Sequence, residues 1–431
     1  MTHNRPSRAC PRLNFDILRE VALCSDRATC AALVRCCRSL YHEAAKVILS
    51  ERVVLDTEEC VAGFLEFLNA DDKSRFRYVR DVCLDIDLSY PLEDDETMGC
   101  LVDGIARMTR LERLELPYGE DLLDEHPVVA DVIAKATSLR FLHIKQVGPL
   151  VCSLLESMQS NLTSVRLDWT SDTEDFLETQ VELEDLAEYH PVPFLAKWSS
   201  TLEELVCESW KTSLDVPTFT QVYPNLRLLK LKGDNFPLVV PYTRAYPNLK
   251  QLHFETDGGD NLGHHSHMDD VRAHRELNIA AQLASGGPGT WQCLQECSGN
   301  LVDLYLLGLT CPVLTLRLSG CIEARHLFML GSVLSYAQPR HLVIEGDGAL
   351  LLHPKRGLPV LLRRSAAARL ETLSVKIILN QEDNEFDFES CFVRSSQHPS
   401  DPIRAEYMRF RRKTSLHRSL GAPCGRCDFA S

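Results

Sequence analysis

The chain has 431 residues, 45% of them apolar and 25% charged, enough for two or three ordinary domains or one long repeat array and too apolar for a disordered or collagen-like chain. Its 46 Lys and Arg against 61 Asp and Glu leave a net charge of −15, the wrong sign for a protein held to nucleic acid or anionic lipid by charge. No apolar run approaches the roughly 18 residues of a membrane span, and the polar, basic start MTHNRPSRAC does not read as a secretory signal. The expected location is therefore cytoplasmic or nuclear, with no membrane partner. The 17 cysteines lie scattered through apolar segments, as at Cys83, Cys152 and Cys207, and read as small buried apolar residues in a reducing compartment. Charge is unevenly spread: residues 1 to 50 and 401 to 431 each carry a net +4, which leaves −23 between them.

After a short N-terminus over residues 1 to 11, expected to lack order, residues 12 to 50 predict three short helices: Asp16 to Leu23, Ala28 to Cys37 and Leu40 to Leu49, with Ser25 and Asp26 as caps of the second. Apolar residues at Leu33, Cys37, Leu40, Tyr41, Ala44 and Ile48 follow a three-and-four spacing. About forty residues bury too little to stand alone, so the trio must lean on the body or on another chain. The segment resembles an F-box of the kind found in fungal F-box proteins with repeat-containing C-terminal regions. The matching positions are Leu13, Leu18, Val21, Leu33, Val34, Cys37, Arg38, Leu40 and Tyr41, while Asn14 stands where the family usually has Pro and Cys30 where it usually has Leu. The resemblance implies that Leu13, Leu18, Val21, Leu33, Val34, Leu40 and Tyr41 contact a Skp-type adaptor of a cullin complex.

The body, residues 51 to 396, repeats. YPNLRLLKLKG at 223 to 233 recurs as YPNLKQLHFET at 246 to 256, and the shared frame LxxLxL also fits Leu111, Leu114, Leu116; Leu139, Leu142, Ile144; Leu162, Val165, Leu167; Leu202, Leu205, Cys207; Leu301, Leu304, Leu306; and Leu370, Leu373, Val375. Val79, Val82 and Leu84 open the series. Side chains two apart on a strand share a face, so the last two residues of each frame point inward, and the first packs at the turn into the strand. Segments of helical period precede several frames, for example Val128, Val129, Val132 and Ile133 before Leu139, and Val151, Leu154, Leu155 and Met158 before Leu162. One such unit cannot bury its own apolar face, so units must stack as parallel neighbours. The expected fold class is α/β, an irregular solenoid resembling leucine-rich repeats, with the three-helix head at its N-terminus. Val313, Leu316 and Leu318 fit the frame only 12 residues after Leu301, too close for another strand-plus-helix unit, and that unit stays open.

Two long gaps read as insertions: an acidic one over 168 to 190, and a Gly-, His- and Ser-rich one over 257 to 290. Acid at Asp172, Glu174, Asp175 and Glu178 is a candidate contact for a basic target. Residues 397 to 431 form a basic tail, with Arg409, Arg411, Arg412 and Lys413, expected to lack order. No phosphate-binding loop, metalloprotease or nucleophile-elbow motif occurs, so the chain is not expected to be an enzyme or to need a cofactor. Gly286, Gly287 and Gly289 make a turn with Pro288; His264, His265 and His267 read as a solvated loop; and Cys424 with Cys427 is half a zinc site. The F-box resemblance implies a substrate receptor of an SCF-type ubiquitin ligase, its head on the adaptor and its repeats on an unknown protein target. The alternative is a repeat scaffold unconnected to ubiquitin, with the helices as a cap.

Overall fold

The computed structural model describes residues 14–36, 38–70, 74–86, 95–169, 189–209, 219–233, 237–256, 268–284, 289–320, 326–347, 351, 357–362, 369–379 and 404–412. They belong to two compact units that part between Asn161 and Leu162. Both are α/β, with parallel strands paired in chain order and helices in most of the connections. Among the described residues no helix is long and apolar enough to cross a membrane.

In the first unit, α1 (Phe15–Leu23), α2 (Arg27–Val34) and α3 (Arg38–Ser50) precede β1 (Val53–Leu55), β2 (Asp81–Leu84), β3 (Arg113–Leu116) and β4 (Phe141–Lys145). The helices start where the chain supplies caps: Asn14 accepts a hydrogen bond from the Asp16 N–H and Asp26 from the Thr29 N–H. Asn14 thus does useful local work at the position where a Pro was expected by resemblance. The trio and the first strands share one compact unit, as its small size requires. Arg75, 2% exposed, lies over the rings of Tyr41 and Phe67 at 4.2 and 4.1 Å and donates to the Phe67 carbonyl. Register puts Val53, Val82, Leu114 and Leu142 side by side in the core.

The second unit carries β5 (Ser164–Asp168), β6 (Glu204–Glu208), β7 (Leu228–Lys232), β8 (Gln251–Glu255), β9 (Leu294–Gly299), β10 (Val313–Leu318), β11 (His341–Asp347), β12 (Thr372–Leu379) and β13 (Arg404–Arg412). Val165, Leu205, Leu229, Leu252, Cys297, Leu316, Leu342 and Leu373 stand in one cross-strand row. Each apolar side chain wholly buried there contributes about 1.5 to 3 kcal/mol.

The polar residues of the repeat close the stack. The backbone carbonyl of the residue after each frame's first apolar position accepts two successive N–H groups from the next strand's entry: that of Thr163 from Glu203 and Glu204, that of Glu203 from Arg227 and Leu228, that of Arg227 from Lys250 and Gln251. The residue before that apolar position bonds backward: Asn225 to the Ser200 carbonyl at 2.7 Å, Asn248 to that of Pro224 at 3.0 Å, and Ser138, in the first unit, to that of Leu111 at 2.8 Å. The YPN turns recur for this reason. Their tyrosines, Tyr223 and Tyr246, are buried with ring centroids 5.2 Å apart, edge to face.

Three expectations are corrected, and one open unit is assigned. Leu301, Leu304 and Leu306 lie not on a strand but on a helix, Leu301–Leu307. Asn300 caps it through the Asp303 N–H, Gly308 ends it at φ +55°, and all seven residues are buried, so apolar spacing carried no information about its period. The open segment at Val313, Leu316 and Leu318 is strand β10, twelve residues on because the helix connects it to β9. The gap at 257 to 290 holds a helix, Met268–Leu283, whose buried face reads Val271, Arg275, Asn278 and Gln282. In the tail, Arg404–Arg412 is a strand, parallel to β12 in backbone register, where no order was expected.

The polar helix face has a definite task. Arg275 donates to the Tyr305 carbonyl, Asn278 to that of Leu306 at 3.2 Å and Gln282 to that of Gly308 at 3.0 Å, so three side chains close the C-terminal carbonyls of the helix beside them. At its other end, the Asp303 carboxylate accepts from the Thr256 N–H at 3.1 Å and the Thr256 hydroxyl at 2.7 Å. Burial nevertheless pushes this carboxyl up to about 7, against the lowering effect of the threonine. The folded chain then holds a proton there more tightly than the unfolded one. The associated stability is complete below the ordinary carboxyl range and is lost as pH rises through about 7. Asp303→Asn should therefore gain on the native protein in thermal midpoint as pH rises from about 4 to about 7.5. A difference constant across that range would refute the assignment.

Candidate functional site

The head offers the first candidate surface. Its core is built from small side chains: Ala22, Cys30 and Ala44 are wholly buried with Ile48, and the Cys30 thiol donates to the Ala22 carbonyl at 3.3 Å. A leucine's volume is not needed where the helices approach this closely. Burial raises the thiol above its ordinary range, as befits a packing residue. Leu33 and Val34 are half-buried against the same core, Leu40 is 4% exposed, and Tyr41 lies beneath the Arg75 guanidinium. Of the residues expected at an adaptor contact, Leu33 and Val34 pack partly on the head's own core, and Tyr41 packs against Arg75, beyond residues 12 to 50. Leu13 lies outside the described residues.

Helix α1 behaves differently. Ala22 is buried and Leu18 half-buried, but Ile17 is 51%, Val21 45% and Leu23 53% exposed. Ile17 and Val21 are one turn apart on one face. Ile17 and Leu23 were not singled out by the sequence. The signal was present in FDILREVAL, where the apolar positions are too many for one buried stripe. Arg19 and Lys46 both approach the Glu43 carboxylate, at 3.8 and 2.6 Å, which ties α1 to α3 without covering that row.

No family model matches the chain, and no curated protein matches it. The functional reading therefore rests on these surfaces.

The outward faces of the strands form the second. In the first unit, Asp81 pairs with Arg113 at 3.4 Å, and Glu115 takes both Arg52 and His143. In the second, Glu208 receives Arg166 at 2.7 Å and Lys230 at 3.1 Å, Arg317 meets Glu296 at 3.1 Å, and Lys376 meets Glu345 at 2.6 Å. Partial burial would raise the Glu208 carboxyl, but Lys230 and Arg166 outweigh it and hold it below its ordinary range. Around them, burial and then the Lys230 charge keep the His253 imidazole below its usual pKa, and its Nδ1 sits 2.8 Å from the Ser298 hydroxyl. The described strand faces are thus mosaics of paired charge and hydrogen bonds, suited to reading a polar surface by register. The acidic residues proposed for a basic target, Asp172, Glu174, Asp175 and Glu178, lie outside the described residues, as do His264, His265, His267, Cys424 and Cys427.

Proposed function

We propose that the protein is the substrate-recognition subunit of an SCF-type cullin-RING ubiquitin ligase. In this reading the three-helix head is an F-box that docks on a Skp-type adaptor, and the units that follow are a leucine-rich-repeat-like solenoid that holds a target protein. No bond is made or broken by this chain. Its contribution is to raise the effective concentration of a target lysine near a ubiquitin-loaded enzyme held by other subunits. The observation that carries the reading is the uncovered apolar pair on α1, Ile17 and Val21, one turn apart on a helix otherwise anchored through Leu18 and Ala22. The packing of Tyr41 under Arg75 favours a second reading, in which the helices only cap the first strands of a scaffold without any link to ubiquitin.

Co-purification of adaptor from cells separates the two. Val21→Asp places a charge where an apolar partner would bury it, at a cost of several kcal/mol to the complex and little to the head, since the side chain is 45% exposed. Adaptor recovery should vanish with Val21→Asp while the thermal midpoint holds. Leu18→Asp, half-buried, should lose both. Undiminished adaptor with Val21→Asp, or none with the native chain, would sink the ligase reading.

A further inference from the structure

In the first unit, α1, α3, the 3₁₀ turn Phe76–Tyr78 and the turn entering β3 enclose a cleft of about 350 Å³, within the range of small-molecule sites. We propose that this cleft binds a small soluble ligand carrying two or more phosphate groups. Five cations from separate stretches of chain line it: Arg19, Lys46, Arg77, Arg80 and Arg110, against one carboxylate, Glu43.

That carboxylate is already engaged by Lys46 at 2.6 Å and Arg19 at 3.8 Å. Arg80 reaches Glu112, outside the cleft, at 3.3 Å. Arg77 donates to the Tyr78 hydroxyl at 2.7 Å and lies 4.9 Å from the centre of that ring. Among the described residues neither Arg77 nor Arg110 meets a carboxylate. The chain has 61 acidic residues to 46 basic ones, so five cations converging on a cleft with one carboxylate, two of them without a carboxylate partner, run against its composition.

Arg110 sharpens the point. It occupies the turn position at which Ser138, Asn225 and Asn248 each bond back to the preceding unit's carbonyl. It makes no such bond among the described residues and faces the cleft instead. Guanidinium forks match phosphate oxygens in pairs, and Lys46, 5.6 Å from the Tyr78 ring centre, adds a point charge on the same side. Restraint of Arg77 and Lys46 by one half-buried tyrosine reduces the ordering cost of capture. A compact polyanion satisfies this geometry better than an extended one, because a cleft of about 350 Å³ takes in only a small ligand's length.

The test is calorimetric titration of the full chain with inorganic tripolyphosphate at physiological ionic strength, repeated on Arg77→Ala/Arg110→Ala. Both side chains are exposed, so an unchanged thermal midpoint should accompany the substitution. Saturable one-to-one binding by the native chain, weakened roughly tenfold or more in the double variant, is the expected result. No saturable binding, or equal affinity in the variant, would overturn it. So would an acidic peptide without phosphate that binds as tightly and with the same sensitivity, since the cleft would then be a peptide groove. Adaptor recovery should be unchanged in the double variant; its loss would place these arginines in a protein contact and refute the phosphate site. A chain that recruits no adaptor yet binds tripolyphosphate through Arg77 and Arg110 would support this inference while refuting the ligase reading.

Discussion

Leu229→Ala should destabilise the second unit by about 2 to 5 kcal/mol, the range for truncating a buried leucine where the surroundings relax only partly. Leu229 is fully buried and stands in register between Leu205 and Leu252. The cavity therefore opens between neighbours held by backbone pairing on both sides, where collapse is least able to fill it. In a stack whose units depend on their neighbours, the loss is also felt on either side of the truncated strand. Urea denaturation followed by far-ultraviolet circular dichroism measures the change. A loss below about 1 kcal/mol would mean that the row is not a close-packed core.

Asn278→Ala should cost about 2 kcal/mol or more, because the Val239 N–H and the Leu306 carbonyl lose their side-chain partner at once, while the Pro237 carbonyl keeps His274 Nε2 at 3.0 Å. The Asn278 side chain, 1% exposed, accepts from the Val239 N–H at 3.1 Å and donates to the Pro237 and Leu306 carbonyls at 3.1 and 3.2 Å. It therefore links the loop before one helix to the end of another. Each buried group left without a partner costs about 1 to 3 kcal/mol. Asn278→Asp keeps the acceptor for Val239 but places a carboxylate against two carbonyls, and should be worse than alanine. Thermal unfolding of both variants checks the order, and near-native stability of either would show that solvent reaches these groups.

These effects fall on different kinds of residue, and that difference explains how much could be read beforehand. Leu229 belongs to a frame visible in the letters. Wherever the buried positions of a strand are apolar and regularly spaced, as in the frames from Val79 to Leu249 and at Leu370, strand and inward face follow from alternation alone. The three helices of the head were legible in the same way, from caps and a three-and-four period.

Asn278 belongs to a helix that apolar periodicity does not reveal, since three of its four buried positions are Arg, Asn and Gln. Such residues are buried only because a neighbouring helix ends in carbonyls needing donors, and that need exists only in three dimensions. The helix at Leu301–Leu307 was misread for the converse reason: buried all round, it has no polar face to mark its period. Strand β9 was missed because its frame, Leu294, Cys297 and Gly299, keeps the three-and-two step but ends on a glycine, which carries no apolar side chain to mark the last inward position.

The candidate sites divide likewise. Sequence placed Val21 on the head's first helix and expected its exposure to a partner. Only packing decided that Leu33, Val34, Leu40 and Tyr41 turn inward while Ile17 and Leu23 remain uncovered. The cationic cleft was invisible as sequence, since Arg19, Lys46, Arg77, Arg80 and Arg110 are scattered over more than ninety residues of an acidic chain. Local spacing determines which face of an element is apolar; which charges converge, and which polar groups must be buried to satisfy one another, is determined by the neighbours that the fold brings alongside.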